Sequence, residues 1–385
     1  MEAAVELVNV YNVAKWGFLV AVAFGAIANK TNFCTMGAVS DWVNMGDKNR
    51  LRAWFMAIGI AILGTQALQA SVPIDLTKSI YLSANFGWLG HLLGGFLFGV
   101  GMTLGSGCGQ RTLVRVGSGN LKSLVVMLVM GVTAFMTLRG LLAPLRINVI
   151  EVTNLDLAAS DIPSQDIATL VQAAAGIGDA QLVHWAVTAV LGLGFVLFAL
   201  MSASYRRSFN NILSGVSIGL FVVAGWYITG KLGYDEFYPV RLESYTFVSP
   251  VAEGVNYLMT YTGSTINFGI AAAFGIILGS FLYSIFTGKF RIETFGTRSD
   301  MVAHLIGGVL MGFGGVLSLG CTIGQGVTGM STLAAGSVIT LAAIIMGSAF
   351  TMKVQYHMLD ECGLFNAIRL SLADFKLLPS ARKSA

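Results

Sequence analysis

A glycine-rich motif ending in cysteine occurs twice in this chain, inside segments apolar enough to cross a bilayer. His91 to Cys108 reads HLLGGFLFGVGMTLGSGC and His304 to Cys321 reads HLIGGVLMGFGGVLSLGC; ten of the eighteen positions are identical, and each cysteine falls seventeen residues after its histidine. Duplication of an ancestral half is the simplest origin of such a pair. Each copy runs on through a short polar stretch, GQRTLVRVGSGN after Cys108 and TIGQGVTGMSTLAAGS after Cys321, into another apolar run. Helices interrupted by glycine and polar residues at matching places of two halves point to the substrate site of a transporter.

With 55% hydrophobic residues, 11% charged and a mean hydropathy of +0.74, the chain is excluded from the soluble globular domains. Nine stretches are long enough to span, near residues 12–30, 51–70, 88–106, 121–143, 181–203, 211–230, 264–288, 301–319 and 334–353. The fold class expected is an all-α polytopic membrane protein. The N-terminus carries Glu2 and Glu6 rather than a basic region, and no small-residue cleavage site follows, so the first helix is expected to be retained.

Basic residues set the orientation. Lys30, Lys48, Arg50 and Arg52, then Arg111, Arg115 and Lys122, then Arg206 and Arg207, then Lys289, Arg291 and Arg298 fall in alternate loops, which are expected to face the cytoplasm. Residues 144–180 carry Glu151, Asp156, Asp161, Asp166 and Asp179 against Arg146; residues 231–263 carry Asp235, Glu236, Glu243 and Glu253 against Lys231 and Arg241. These loops are expected outside a cell inner membrane, with the N-terminus periplasmic and the C-terminus, bearing Lys353, Lys376, Arg382 and Lys383, cytoplasmic. No nucleic-acid partner is expected.

An odd number of helices makes the two copies run in opposite directions, so the repeats are inverted: residues 1–205, with the acidic segment 144–180, then residues 206–355, then a tail, 356–385. Taken as full spans, the helices put Cys108 and Cys321 towards opposite ends; only re-entrant or broken segments bring both to the centre. Gly90/Gly94, Gly95/Gly99, Gly101/Gly105 and Gly308/Gly312 have the spacing of close helix packing. The glycines beside the cysteines, Gly105, Gly107, Gly109, Gly320, Gly324 and Gly326, suit a left-handed backbone or close approach of a ligand.

Helices restarting after Gly119 and after roughly Gly329 present free N–H groups and positive dipole ends, which favour an anion. Ser106, Thr112, Ser118, Thr322, Thr328, Ser331 and Thr332 add donors. The candidate binding residues are Gly107, Gly109, Gln110, Gly320, Thr322, Gly324 and Gln325 with the cysteines. No acidic residue lies between Gly101 and Asn120 or between Met301 and Tyr356, which argues against a metal cation or a proton relay. His91 and His304, at helix starts, read as interfacial or capping residues. Arg111 and Arg115 are either cytoplasmic anchors or an electropositive inner vestibule; the second copy has no basic counterpart, which favours anchoring. The four cysteines include no CxxC pair and no zinc or iron–sulfur spacing, so no cofactor is expected. A lone cysteine in an apolar helix is ordinarily a small hydrophobe, but Cys108 and Cys321 occupy equivalent points of a repeat. Cys34, in NKTNFCTMGA, has a similar setting, whereas Cys362 in the tail reads as incidental.

NFCTMGA at 32–38, GSGCGQ at 105–110 and LGCTIGQG at 319–326 resemble the signatures of the YeeE/YedE family of sulfur-transport proteins, and the resemblance covers roughly residues 14–355. It implies an inner-membrane importer of inverted-repeat architecture in which thiosulfate is handed along three thiols, matching Cys34, Cys108 and Cys321. It also implies a small TusA-like sulfurtransferase as cytoplasmic partner. A neutral thiol donates a weak S–H bond, and with a pKa of about 8.5 it is mostly protonated at neutral pH. Several weak sites suit conduction better than one strong one. Two alternatives stand beside this: another sulfur or selenium cargo, or a membrane sulfurtransferase forming a persulfide on Cys108 or Cys321. No nucleotide-binding motif is present, so energy coupling is not visible. Residues 144–180 are expected to cap the outer mouth, and FNAIRLSLADFKLLP in the tail to form a short amphipathic helix at the inner surface.

Overall fold

The computed structural model describes residues 2–176, 178–235, 240–359 and 363–375, with only the backbone of residues 2–8. Glu236, Cys362, Lys376, Arg382 and Lys383 lie outside the described residues. The helices are α1 Glu2–Thr31, α2 Thr35–Ser40, α3 Asn49–Ser71, α4 Gly95–Leu104, α5 Gly109–Gly117, α6 Leu121–Arg139, α7 Ile167–Ala175, α8 Ala180–Leu200, α9 Phe209–Tyr227, α10 Ser249–Met259, α11 Phe268–Phe286, α12 Arg298–Leu317, α13 Ala335–Leu359 and α14 Leu364–Asp374. Among the described residues nine helical stretches are long and apolar enough to cross a membrane, one for each expected. The protein is an all-α, multi-pass membrane protein.

Side chains of the expected chemistry start the spans. Asn120 accepts from Ser123 N ahead of α6, Asp179 from Gln181 N and Leu182 N ahead of α8, Asn267 from Ile270 N ahead of α11, and Thr297 from Asp300 N ahead of α12. Pro250 sits in the first turn of α10, where its missing N–H costs nothing.

Glycine packs the helices. A Cβ on Gly90 would come within 2.7 Å of Leu317 O, one on Gly94 within 2.7 Å of Gly314 O, and one on Gly101 within 2.7 Å of Gly307 O. Numbers rise along α4 as they fall along α12, so the two copies of the repeated motif cross antiparallel, backbone on backbone. The repeats are inverted. The other pairings come in matched, parallel sets. α1 lies along α11, with Gly17 on Phe268 and Gly279 on Val22, as α3 lies along α9, with Gly215 on Ala53 and Gly219 on Ala57. α13 lies along α4, with Gly95 on Thr340 and Gly99 on Ile344, as α6 lies along α12, with Gly308 on Val126 and Gly312 on Met130. α1, α3, α4 and α6 thus each lie against helices of the second half, while α8 rests on α3 at Gly59 and Gly192.

The basic segments gather on one face. Asn49 donates to Ser204 Oγ (2.9 Å), Arg50 and Arg111 both donate to Asn32, Asn29 donates to Ser118, Ser280 and Ser284, and Lys122 pairs with Asp300 (2.7 Å). On the opposite face β1 (Asn85–Phe86) pairs antiparallel with β2 (Leu155–Asp156), and Gln165 O and Oε1 accept from Ala335 N (3.0 Å) and Gly336 N (3.2 Å). Residues 144–175 therefore cover that end of the bundle. The position of His91 differs from expectation: it is 3% exposed, with Nδ1 2.8 Å from Thr340 Oγ1. The close contact of α4 with α13 buries it. His304 is likewise buried, at 5% exposure, in the second turn of α12, Nδ1 2.8 Å from Asp300 O.

Gly279→Ala should destabilise the protein, because its Cβ would lie 1.9 Å from Val22 O; overpacking of this kind costs about 1–3 kcal/mol. Thermal unfolding in detergent should show a lowered midpoint, whereas Gly194→Ala, with nothing within 4 Å, should not lower it.

Candidate functional site

The three cysteines are reached by one repeated local path. α1 ends at left-handed Asn32 (φ 52°), α4 at Ser106 (φ 58°) and α12 at Leu319 (φ 59°), each two residues before a cysteine. The next amide then bonds five residues back in the pattern that closes helix C-termini: Phe33 N to Ala28 O (3.2 Å), Gly107 N to Met102 O (2.9 Å) and Gly320 N to Gly315 O (2.8 Å). Each cysteine opens the following helix: α2, α5, or the helical segment 322–331 that contains the wide turn Gly324–Gly329. Cys34 Sγ accepts from Gly37 N (3.4 Å) and Cys321 Sγ from Gly324 N (3.4 Å), and the amide of Arg111 approaches Cys108 at the same spacing.

One expectation is extended here and another corrected. Helices do restart after Gly119 and Gly329, as α6 from Leu121 and α13 from Ala335, but a further helical segment also opens at each cysteine. GQRTLVRVG folds as α5 with Gln110, Leu113, Val114 and Gly117 buried, and residues 322–331 are wholly buried, so protein rather than lipid surrounds their polar groups. None of the glycines beside Cys108 and Cys321 is left-handed; Ser106 and Leu319 take that conformation, which costs non-glycine residues about 1–2 kcal/mol. The glycines serve close approach instead. A Cβ on Gly324 would lie 2.3 Å from Thr246 Oγ1, one on Gly320 3.2 Å from Gln325 Cγ, and one on Gly107 3.2 Å from Arg111 Cγ.

The broken helices bring the thiols together. Cys34 faces Cys108. The Thr322 hydroxyl lies beside the Cys108 sulfur without a well-aligned bond to it. Cys321 follows, approached by the amides of Ile323 and Phe247 and the hydroxyl of Thr246. Gly109 rests on Phe247 and on Met130, midway along α6. All three thiols are free and buried, Cys34 at 6% exposure and the others at 0%.

Unpaired hydrogen-bonding groups cluster along this line. Thr35 Oγ1, both amide atoms of Gln110, Arg111 Nη1 and Thr322 Oγ1 are buried with no partner among the described residues, although such groups cost about 1–3 kcal/mol each. Gln325 is different: Nε2 donates to Ser318 O (2.6 Å) and Oε1 accepts from Ser337 (2.5 Å). The hydroxyls of Thr112, Thr328 and Thr332 donate to backbone carbonyls, and Ser331 accepts from Trp226 Nε1 (3.0 Å). Among the described residues no group of three His, Cys, Asp or Glu side chains could hold a metal ion.

The two ends of the line differ in charge. Arg50 and Arg111 act on Cys34, at the basic face. Towards the other face stand Tyr81, which reaches Thr246 and lies near Cys321, and beyond it Glu243 with Arg241. Burial pushes the Tyr81 phenol up. It also raises Glu243 from 4.5 to about 7, with Arg241 opposing and Glu253 adding to the rise. Tyr81, Thr246 and Phe247 escaped the sequence reading because residues 244–248 pass for part of an outer loop. The available signal was Ser249-Pro250, a helix start directly after YTFV, which gives the second repeat its counterpart of Asn32–Cys34.

Interlocked inverted repeats, broken at buried cysteines beside unpaired donors, have the construction of a membrane transporter. A family model for sulphur transport matches residues 30–350, which include all three cysteine segments, and the chain belongs to that family. It is similar to the thiosulfate transporter TsuA of Escherichia coli (strain K12), 24% identical over 352 residues covering 86% of this chain and 91% of the relative. It is likewise similar to the thiosulfate transporter TsuA of Spirochaeta thermophila, 25% identical over 339 residues covering 86% and 96%. The expected family is borne out.

Burial disfavours the charged form of Glu243, so its folded pKa lies above the unfolded one. The stability it contributes is complete below pH 4.5 and is lost as pH rises through about 7. The thermal midpoint in detergent should fall across that window, and Glu243→Gln should flatten the fall.

Proposed function

We propose that this protein imports thiosulfate across the bacterial inner membrane by passing the anion from Cys321 to Cys108 to Cys34. The observation that carries the reading is the single line of buried free thiols, each opening a broken helix, with unpaired groups of Thr35, Gln110 and Thr322 beside it. The relatives named as thiosulfate transporters support the cargo. The basic face is cytoplasmic, which sets the N-terminus in the periplasm and the covering segment 144–180 over the outer mouth. Residues 1–205 and 206–355 form the two repeats.

Each thiol donates S–H to the terminal sulfur of thiosulfate, an acceptor that sulfate lacks. A thiolate would repel the dianion and attack its sulfur, so the relay uses the neutral form. Gln110 and Thr322 add donors between stations, and the start of α5 lends its positive dipole end. Gly107, Gly109, Gly320 and Gly324 keep the two broken segments close, while Gln325 holds Ser318 and Ser337 so that the turn before Cys321 keeps its shape. Weak, successive sites let the anion leave as readily as it arrives. On the inner face a TusA-like sulfurtransferase docks beside α14, where Leu364 and Phe365 are exposed.

Proteoliposomes holding the purified protein should take up sulfur-labelled thiosulfate, blocked by unlabelled thiosulfate and not by sulfate. Cys108→Ala and Cys321→Ala should reduce uptake to background while the proteins still elute as wild type, and Cys362→Ala should transport normally. Normal uptake by every cysteine variant would show the thiols to be packing residues only.

A further inference from the structure

The thiol relay leaves unexplained the three guanidinium groups that converge on the turns leading to Cys34 and Cys108. Arg115 Nη1 donates to Ser106 O (2.7 Å), and Arg50 pairs with Asp41 (3.2 Å) while donating to Asn32 O (2.9 Å). These two hold left-handed turns. Arg111 donates Nη2 to Asn32 Oδ1 (2.9 Å), but its Nη1 is buried without a partner, and no carboxylate pairs with it among the described residues. A buried cationic N–H left unpaired costs more than a neutral one, so an anchoring role does not account for it. Its charge acts on both Cys34 and Cys108. Thr35 and Gln110, 3% and 0% exposed, add unpaired polar atoms one residue after Cys34 and two after Cys108. The position three residues after each cysteine is Gly37, Arg111 and Gly324, so one station of three carries a cation.

We propose that Arg111 is the oxyanion seat of the relay. With the terminal sulfur of thiosulfate resting between Cys34 and Cys108, a sulfonate oxygen accepts from Arg111 Nη1, and Thr35 and Gln110 hydrogen-bond the same end of the anion. This rests on the thiosulfate reading and deepens it: thiols recognise the soft end, a guanidinium the charged end.

The test compares wild type with Arg111→Met, Arg111→Lys and Asn32→Gly in proteoliposome uptake, together with the thermal shift that thiosulfate induces in detergent. Arg111→Met should raise the half-saturating concentration roughly tenfold to a hundredfold, the loss expected of a charge-assisted bond, and abolish the thermal shift; Arg111→Lys should fall between. Asn32→Gly removes the Nη2 partner yet keeps the left-handed turn, so it should leave half-saturation unchanged, which a bracing role for Arg111 would not allow. Where Arg111→Met fails to fold, Arg111→Gln carries the same comparison. A folded Arg111 variant with wild-type half-saturation and wild-type shift overturns the seat alone. Wild-type protein showing neither uptake nor shift overturns the transport reading, and the seat with it.

Discussion

Everything central in this molecule depends on two backbones touching where α4 crosses α12. Gly94 against Gly314 and Gly101 against Gly307 remove the side chains that would otherwise hold helices apart. In lipid, where no hydrophobic force joins helices, such close van der Waals contact is the main attraction available. Because the crossing is antiparallel and each helix breaks at a left-handed residue, Ser106 or Leu319, the chain leaving each one turns back into the bundle rather than emerging from it. That turn places Cys108 beside Thr322, the residue after Cys321, and puts Phe247 against both Gly109 and Cys321.

The local device at each break is as economical as the global one. A left-handed residue ends one helix, one residue intervenes, and a cysteine starts the next with its sulfur turned towards a backbone amide. Sulfur is a poor cap, since it accepts weakly where serine or aspartate would accept well. Its use at three breaks leaves the first-turn amides less fully satisfied than an oxygen cap would. The supporting residues are treated oppositely. Gln325, Ser318, Ser331 and Thr328 form closed sets of bonds, so polarity that shapes the site is satisfied while polarity facing the thiols is not.

Much of this was legible in the chain. A spanning helix must satisfy its own backbone, so nine apolar runs mark nine helices, and alternate basic loops sort onto one face as their Lys and Arg content required. The repeated motif announced the inverted halves. What stayed hidden was set by contacts distant in sequence. Nothing local to His91 says that Thr340 will meet it, and nothing local to Thr246 says that Gly324 will admit it beside Cys321. Ser106 and Leu319 occupy left-handed positions that residue preference would assign to their glycine neighbours, because the surrounding helices dictate where the turn must fall. Arg111 and Arg115, alike as loop cations, were separable only once Asn32 and Ser106 were seen to occupy their donors differently.

The exchange of partners between repeats also bears on how the chain is made. α1 leaves the ribosome long before α11, yet the bonds from Asn29 to Ser280 span 251 residues, so these bonds wait until α11 has been synthesised. Gln66 in α3 waits as long for Ser331, 265 residues on. While the second repeat is missing, Asn29 has Ser118 and Gln66 has His184, but neither has its remaining partners, and the nascent protein passes through a long period with these amides only partly satisfied. Assembly of this protein is therefore a late, concerted event, and a chain released early would be an open half with its glycine faces exposed.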